Sequence, residues 1–296
     1  MIDDAELSRA AETIRRGGLV AFPTETVYGL GANALDPQAV ARIYEAKGRP
    51  VSSPLIVHVA DLAMARTLAA EWPACAHKLA ARFWPGPLTL VVKKTSAVPD
   101  NVTAGLDSVG LRVPSHPVAL ELIRRAGVPI AAPSANRFTQ ISPTTAEHVR
   151  ASLGDRVDLI LDDGPSEVGI ESTVVSLTGP APALLRPGMI SLSELQAVTG
   201  TKWATGPPKS NESPGLHPRH YAPRTPFFVL SPGQLQPAGR GRLLQMPKDP
   251  SAYAQILYAE MHAADLEGWD WIGVEEPPET PEWAGIRDRL KRASSA

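Results

Sequence analysis

The chain has 296 residues, 43% of them hydrophobic and 20% charged, so it can bury a core and is not a disordered segment. A formal net charge of −2 excludes a polycation that holds nucleic acid by overall charge, and leaves any anion site to a local concentration of Lys and Arg. Cys75 is the single cysteine, which excludes an intramolecular disulfide and a cysteine-based zinc site and fits a reducing cytoplasm.

The acidic start Met1-Ile2-Asp3-Asp4 leads into an amphipathic segment, and no run of about 18 apolar residues occurs, which predicts a soluble intracellular protein. Leu7, Ala10, Ala11 and Ile14 predict a first helix ended by Gly17-Gly18, and Leu19 to Phe22 a short buried strand. That strand delivers the polar stretch Pro23 to Gly31, two glycines at a strand exit, where open α/β sheets keep their ligands. No Gly-Lys-Ser/Thr follows, so it is not a Walker loop. Asp36 as N-cap, Pro37 at the first turn, and Val40, Ile43 and Tyr44 at helical spacing predict a second helix that must stop before Pro50. It ends in Lys47-Gly48-Arg49-Pro50. If residues 47 to 49 are extended, both cations project to one side toward an anion; the competing role is to complement the negative end of the helix.

Pro54 to Val59 predicts a buried strand carrying His58, a core residue or a functional one. Helices over 61–70 and 73–83, a strand over 88–92 and a loop from Thr95 to Ser108 lead to the strand Val109 to Pro114. Arg112 interrupts that strand, and a buried arginine needs a carboxylate or phosphate, from an internal salt bridge or from a ligand. A helix over 116–125 and a strand over 128–132 end in Ala132-Pro133-Ser134-Ala135-Asn136, polar groups at another strand exit. Thr144 and Glu147 predict a capping box, which leaves Ser142 as a cap or a ligand group. Strands at 159–161, 169–175 and 184–186 complete a sheet, and Ser191 or Ser193 caps a helix ending at Gly200.

Composition then divides the chain into residues 1–205, a Pro/Gly-rich linker over 206–224, and a small unit over 225–296. The linker carries His217, Arg219, His220 and Tyr221, too specific for a plain spacer and able to act either as a lid or as a tether. The small unit reads as strand, strand, helix, strand, helix, with each of the two units able to fold.

Pro23 to Gly31, Lys47-x-Arg49, Pro54 to His58, Ser134-x-Asn136 and Leu185-Arg186-Pro187-Gly188, in this order, resemble the YrdC-like domain of threonylcarbamoyl-AMP synthases, and Ser213-Pro214-Gly215 with His220 to Pro223 resembles the linker of the two-domain members. The resemblance implies an α/β (α+β type) fold with a mixed twisted sheet and an open electropositive groove, plus a Rossmann-like C-terminal domain. It implies condensation of L-threonine, bicarbonate and ATP to threonylcarbamoyl-AMP and pyrophosphate, with magnesium arriving on ATP and no metal ligands from the chain. A separate transferase would then modify certain tRNAs.

By the same resemblance, Lys47, Arg49, Ser134 and Asn136 would handle the phosphates and the carbamoyl carboxylate. Ser53, Ser108, Ser142, Arg186 and Tyr221 would bind the rest of ATP, and Thr26, His58, Arg112, Ala132 and Ser172 would hold threonine. Ser53, Arg137 to Thr139 and Ser176 depart from the family pattern, and the C-terminal unit is shorter than usual. Two rivals stand beside this reading. One is a groove that binds tRNA or double-stranded RNA without chemistry, which a near-neutral charge and 5% aromatics weigh against. The other is a carbamoyltransferase with a related domain, which carries further large domains that 296 residues do not accommodate.

Overall fold

The computed structural model describes residues 2–204, 220–231 and 233–294. His217 and Arg219 lie outside the described residues. A nine-stranded mixed sheet in the order β7-β1-β2-β6-β3-β5-β4-β8-β9 forms the large unit. Its strands are β1 (Val20–Phe22), β2 (Gly29–Asn33), β3 (Ile56–His58), β4 (Leu88–Lys93), β5 (Ser108–Arg112), β6 (Ile130–Ala131), β7 (Leu159–Ile160), β8 (Thr173–Ser176) and β9 (Ala183–Arg186).

The period-two alternation of strand side chains sorts the core into two layers. Leu19 and Ala21 face one cluster, with helices α2 (Pro37–Lys47), α3 (Leu62–Leu68), α4 (Ala74–Phe83), α7 (Ala146–Leu153) and α8 (Leu192–Thr199). Val20 and Phe22 face another, with α1 (Asp4–Arg15) and α6 (Pro117–Ala126). Most sequence signals act as expected. Asp36 accepts from the N–H groups of Gln38 and Ala39, and Gly48 closes α2 in the left-handed conformation at φ 61°. Ser191 and Glu194 form a complete capping box at the start of α8.

The structure differs in four places. The polar stretch predicted between residues 23 and 31 ends in strand, because Gly29 to Gly31 pair antiparallel with β1. A Cβ on Gly31 would lie 2.7 Å from the Phe22 ring and 2.8 Å from Ile130, so that glycine serves close packing rather than a turn. The loop after β4 contains a short helix, α5 (Asp100–Thr103). The strand expected over 169–175 is confined to β8, leaving Gly169 to Ser172 as a loop. Thr145, not Thr144, caps α7 by accepting from His148 N–H, so the expected Thr144–Glu147 box is not what starts that helix.

The small unit has three parallel strands in the order β10 (Phe227–Leu230), β12 (Trp271–Glu275), β11 (Gly241–Leu243), with helices α9 (Pro250–Leu266) and α10 (Ala284–Ala293). It is not a detached body. Its core cluster takes in Val27, Ile141 and Ile170 from the large unit. Gly169, at φ 82°, lies so close to the backbone of Ala254 and Gln255 that a Cβ would fall 2.2 Å from the Ala254 carbonyl oxygen. His148 of α7 and His262 of α9 stack with ring centroids 3.9 Å apart. Among the described residues, no helix is long and apolar enough to cross a membrane.

Candidate active site

A pocket of about 530 Å³, counting its open mouth, lies where the central strands meet the seam with the small unit. Loop-to-loop bonds fix its floor. Leu30 N–H donates to Pro133 O, Ala135 N–H to Tyr28 O, and Ala132 N–H to Ile56 O, each at 2.8 or 2.9 Å. Nine of the residues singled out from sequence line it: Thr26, Arg49, His58, Arg112, Ala132, Ser134, Ser172, Arg186 and Tyr221. Ser53, Ser142 and Lys47 stand one contact behind, Asn136 is reached through Lys47, and Ser108 is buried at the start of β5 away from the lining.

On one side, β3 and β5 pair in register so that His58 lies opposite Arg112. Burial, reinforced by Arg112, drives the imidazole pKa well below its ordinary value, so His58 is neutral near pH 7. Its Nδ1 carries no hydrogen bond among the described residues. Arg112 has its internal partner: Nη2 lies 2.8 Å from Glu25 Oε1, and both side chains are buried. The contact is an ion pair but lies off the line of a hydrogen bond, and Nε and Nη2 have no aligned acceptor among the described residues. Thr24 donates its one hydroxyl proton to Val27 O at 2.7 Å, so in its 2.8 Å contact with Thr26 the Thr26 hydroxyl must donate. Thr26 Oγ1 is left as an acceptor toward the pocket.

On the other side the cations are held differently from the expectation. Gly48 turns the chain left-handed, so residues 47–49 are not extended and Lys47 and Arg49 do not project side by side. Lys47 is buried and donates two of its three N–H bonds to the carbonyls of Ser134 and Asn136, both at 2.5 Å. Burial, then Arg49, pushes the ammonium pKa well down. A cation that staples a strand-exit loop in this way is not an exposed complement to a helix end. Arg49 donates to Ser53 Oγ at 2.5 Å and Pro54 O at 3.0 Å, so the atypical Ser53 still serves that arginine. Arg186 donates to Ser172 O and Oγ, both at 3.1 Å.

Sequence reasoning missed Glu171, Thr24 and Glu25, and gave His220 no role. Glu171 lines the pocket and accepts from Ser142 Oγ at 2.5 Å, from Tyr258 at 3.1 Å and from Arg289 Nε at 2.7 Å. Ser142 is therefore not a helix cap. Burial acts to raise the Glu171 pKa, but Arg289, Arg186 and the Ser142 hydrogen bond outweigh it and hold the carboxyl below its ordinary value. Tyr221 is 1% exposed, sits at φ 61°, and stacks on Tyr258 with ring centroids 5.9 Å apart. A bulky residue in the left-handed region costs about 1–2 kcal/mol, so its surroundings must hold it there. The signal available for Glu171 was the one used for Arg112: a lone charge entering an apolar strand.

The family model described as telomere recombination (Sua5/YciO/YrdC) matches residues 12–188, and the model for the threonylcarbamoyl-AMP synthase C-terminal domain matches residues 190–295. The threonylcarbamoyl-AMP synthase of Bacillus subtilis is 48% identical over 99% of this chain and 94% of its own length. That of Pyrococcus abyssi is 49% identical over 77% of this chain and 69% of its own length. A crystal structure of P. abyssi Sua5 complexed with L-threonine superposes with a TM-score of 0.93 at 39% identity, covering 99% of this chain and 95% of that one. The chain belongs to the threonylcarbamoyl-AMP synthase family, in its two-domain form.

Proposed function

We propose that this pocket condenses L-threonine, bicarbonate and ATP to threonylcarbamoyl-AMP and pyrophosphate. The observation that carries the reading is the pairing of unlike chemistries in one cavity. An arginine fork, a neutral histidine and a hydroxyl acceptor lie on one side, and the guanidinium groups of Arg49 and Arg186 on the other.

The first side fits an amino acid. The free donors of Arg112 match its carboxylate, and Thr26 Oγ1 or His58 accepts from its hydroxyl. Ala132 and Ser172 complete that wall. The threonine nitrogen attacks the carbon of bicarbonate, water leaves, and an oxygen of the resulting carbamate attacks the α-phosphorus of ATP with pyrophosphate as leaving group. Arg49, Arg186, Ser134 and Tyr221 are placed to meet the phosphates, with Lys47 and Asn136 fixing the Ser134 loop, Ser53 aiming Arg49 and Ser142 aiming Glu171. Ser108 is the assigned residue with least support, since it does not line the pocket.

Magnesium fits as a passenger of the triphosphate, supplying charge neutralisation at the phosphates. Both Glu171 oxygens already accept hydrogen bonds, so phosphate oxygens and water would be its ligands. The product would pass to a transferase acting on tRNA in the cytoplasm. The RNA-groove alternative is the weaker reading, because the cations lie buried in a pocket rather than along an exposed stripe.

The test is to mix protein, ATP, magnesium and bicarbonate with single amino acids and follow pyrophosphate. Release should require bicarbonate and run at least about a hundredfold faster with threonine than with the near-isosteric valine, since a buried group left unpaired rejects strongly. Equal turnover with valine would sink the assignment to Thr26 and His58. Arg112→Lys should raise the threonine KM far more than the ATP KM, because an ammonium cannot reproduce two parallel bonds to a carboxylate. A sharp fall in Tm with both constants intact would reduce Arg112 to the partner of Glu25.

A further inference from the structure

Among the described residues Arg289 is the largest fully buried side chain, and it comes from the small unit. It lies on α10 one turn after Gly285, on the same face of the helix. A Cβ on Gly285 would fall 2.6 Å from the Gly188 carbonyl oxygen. That glycine lets α10 press onto the turn after β9, and Arg289 then reaches through the seam. Its Nε donates to Glu171 Oε2 at 2.7 Å, Nη2 to Glu171 O at 3.0 Å and Nη1 to Pro187 O at 2.7 Å. Its guanidinium carbon stands 5.4 Å from the Tyr221 ring centroid. Three parts of the pocket therefore meet at one side chain: Glu171, the Arg186-Pro187 turn and Tyr221. The same helix also holds the linker's end, since His220 N–H donates to Arg292 O at 3.1 Å.

Resting on the reading of the pocket given above, we propose that Arg289 is a positioning residue for the nucleotide side of the site. It holds Glu171 and the Arg186-Pro187 turn in place beneath Tyr221, so that Arg186 and Tyr221 are aimed at the phosphates, and this is what the C-terminal domain contributes to the reaction. The domain is then a wall of the active site rather than an appendage. A buried ion pair that only glued two units together would have no reason to end on a carboxylate that lines the pocket, nor to sit under the one strained tyrosine of its rim.

The experiment compares wild type, Arg289→Lys, Arg289→Met, Glu171→Gln and the double variant Glu171→Gln with Arg289→Met, reading pyrophosphate release against ATP and threonine separately, with Tm measured on each. Losing charge-assisted bonds to Glu171 should lower kcat/KM for ATP roughly tenfold or more in Arg289→Met. The threonine KM should stay within about threefold of wild type. The double variant, which no longer buries an unpaired carboxylate, should recover part of the loss relative to Arg289→Met. If Tm falls while both substrate constants hold, Arg289 is glue and the proposal is wrong. Should the two substitutions simply add, Glu171 does not transmit the effect and the proposal is again wrong. If Arg289→Met does not fold, Arg289→Lys carries the test, because it keeps the charge but cannot bond Nε, Nη1 and Nη2 positions together. ATP binding titrated without threonine reads the same variants independently, so an inactive wild type would overturn the proposed reaction and leave this inference still decided.

Discussion

Lys47→Ala and Arg49→Ala should each cut turnover by at least about a hundredfold, Arg49→Ala because one preorganised charge donor leaves a dry site and Lys47→Ala because the Ser134 loop loses the side chain that fixes it. The two should differ in stability. Sequence alone suggests that neither substitution disturbs the fold, but Lys47 satisfies the carbonyls of Ser134 and Asn136 from a buried position. Deleting it leaves two acceptors without their donor, at about 1–3 kcal/mol each, so the Tm of Lys47→Ala should fall. Arg49 bonds within its own turn, to Ser53 and Pro54, and its loss should move Tm less. Rates are therefore to be compared well below either Tm. A folded Lys47 or Arg49 variant with normal turnover would remove that residue from the chemistry.

Where the sequence was legible, a local rule was sufficient. Asp36-Pro37 and Gly48 set both ends of α2, and alternation set the faces of β1, because caps and pleats act over a few residues. Arg112 was legible as a charge without local company, and its partner Glu25 was not, since nothing local links residues 25 and 112. Glu171 and Arg289 stand 118 positions apart. In sequence Arg289 is one of several cations on an ordinary amphipathic helix, and only the close contact of Gly285 with Gly188 turns it inward. The error over residues 47–49 has the same origin in reverse. Cations side by side need an extended Gly48, whereas a helix that must stop before a proline spends that glycine on a left-handed cap.

A chain cut after residue 205 should lose both stability and ATP affinity, although the sequence divides into two units that each look able to fold. The cut would expose Val27, Ile141 and Ile170, whose packing partners are Tyr221, Phe227 and the helices of the small unit. It would also leave Glu171 buried without Arg289 and Tyr258. Breaking a buried ion pair by removing one partner costs about 3–5 kcal/mol, a large share of a typical stability of about 5–15 kcal/mol. A fall in Tm on the order of 10 °C follows for a unit of this size. Tyr221→Phe separates this scaffolding from a ligand contact. The ring remains stacked on Tyr258, and the hydroxyl, which is buried with no hydrogen bond among the described residues, is all that is lost. Tm should hold or rise slightly, because an unpaired buried hydroxyl is removed. If that hydroxyl meets the nucleotide, ATP binding should weaken by roughly tenfold. Tyr221→Ala should lose both. The linker reading adds one observable: cleavage within residues 206–220 should slow when ATP and threonine are present together. Unchanged ATP binding in Tyr221→Phe, with cleavage indifferent to ligands, would leave the segment as a tether and Tyr221 as packing for the seam.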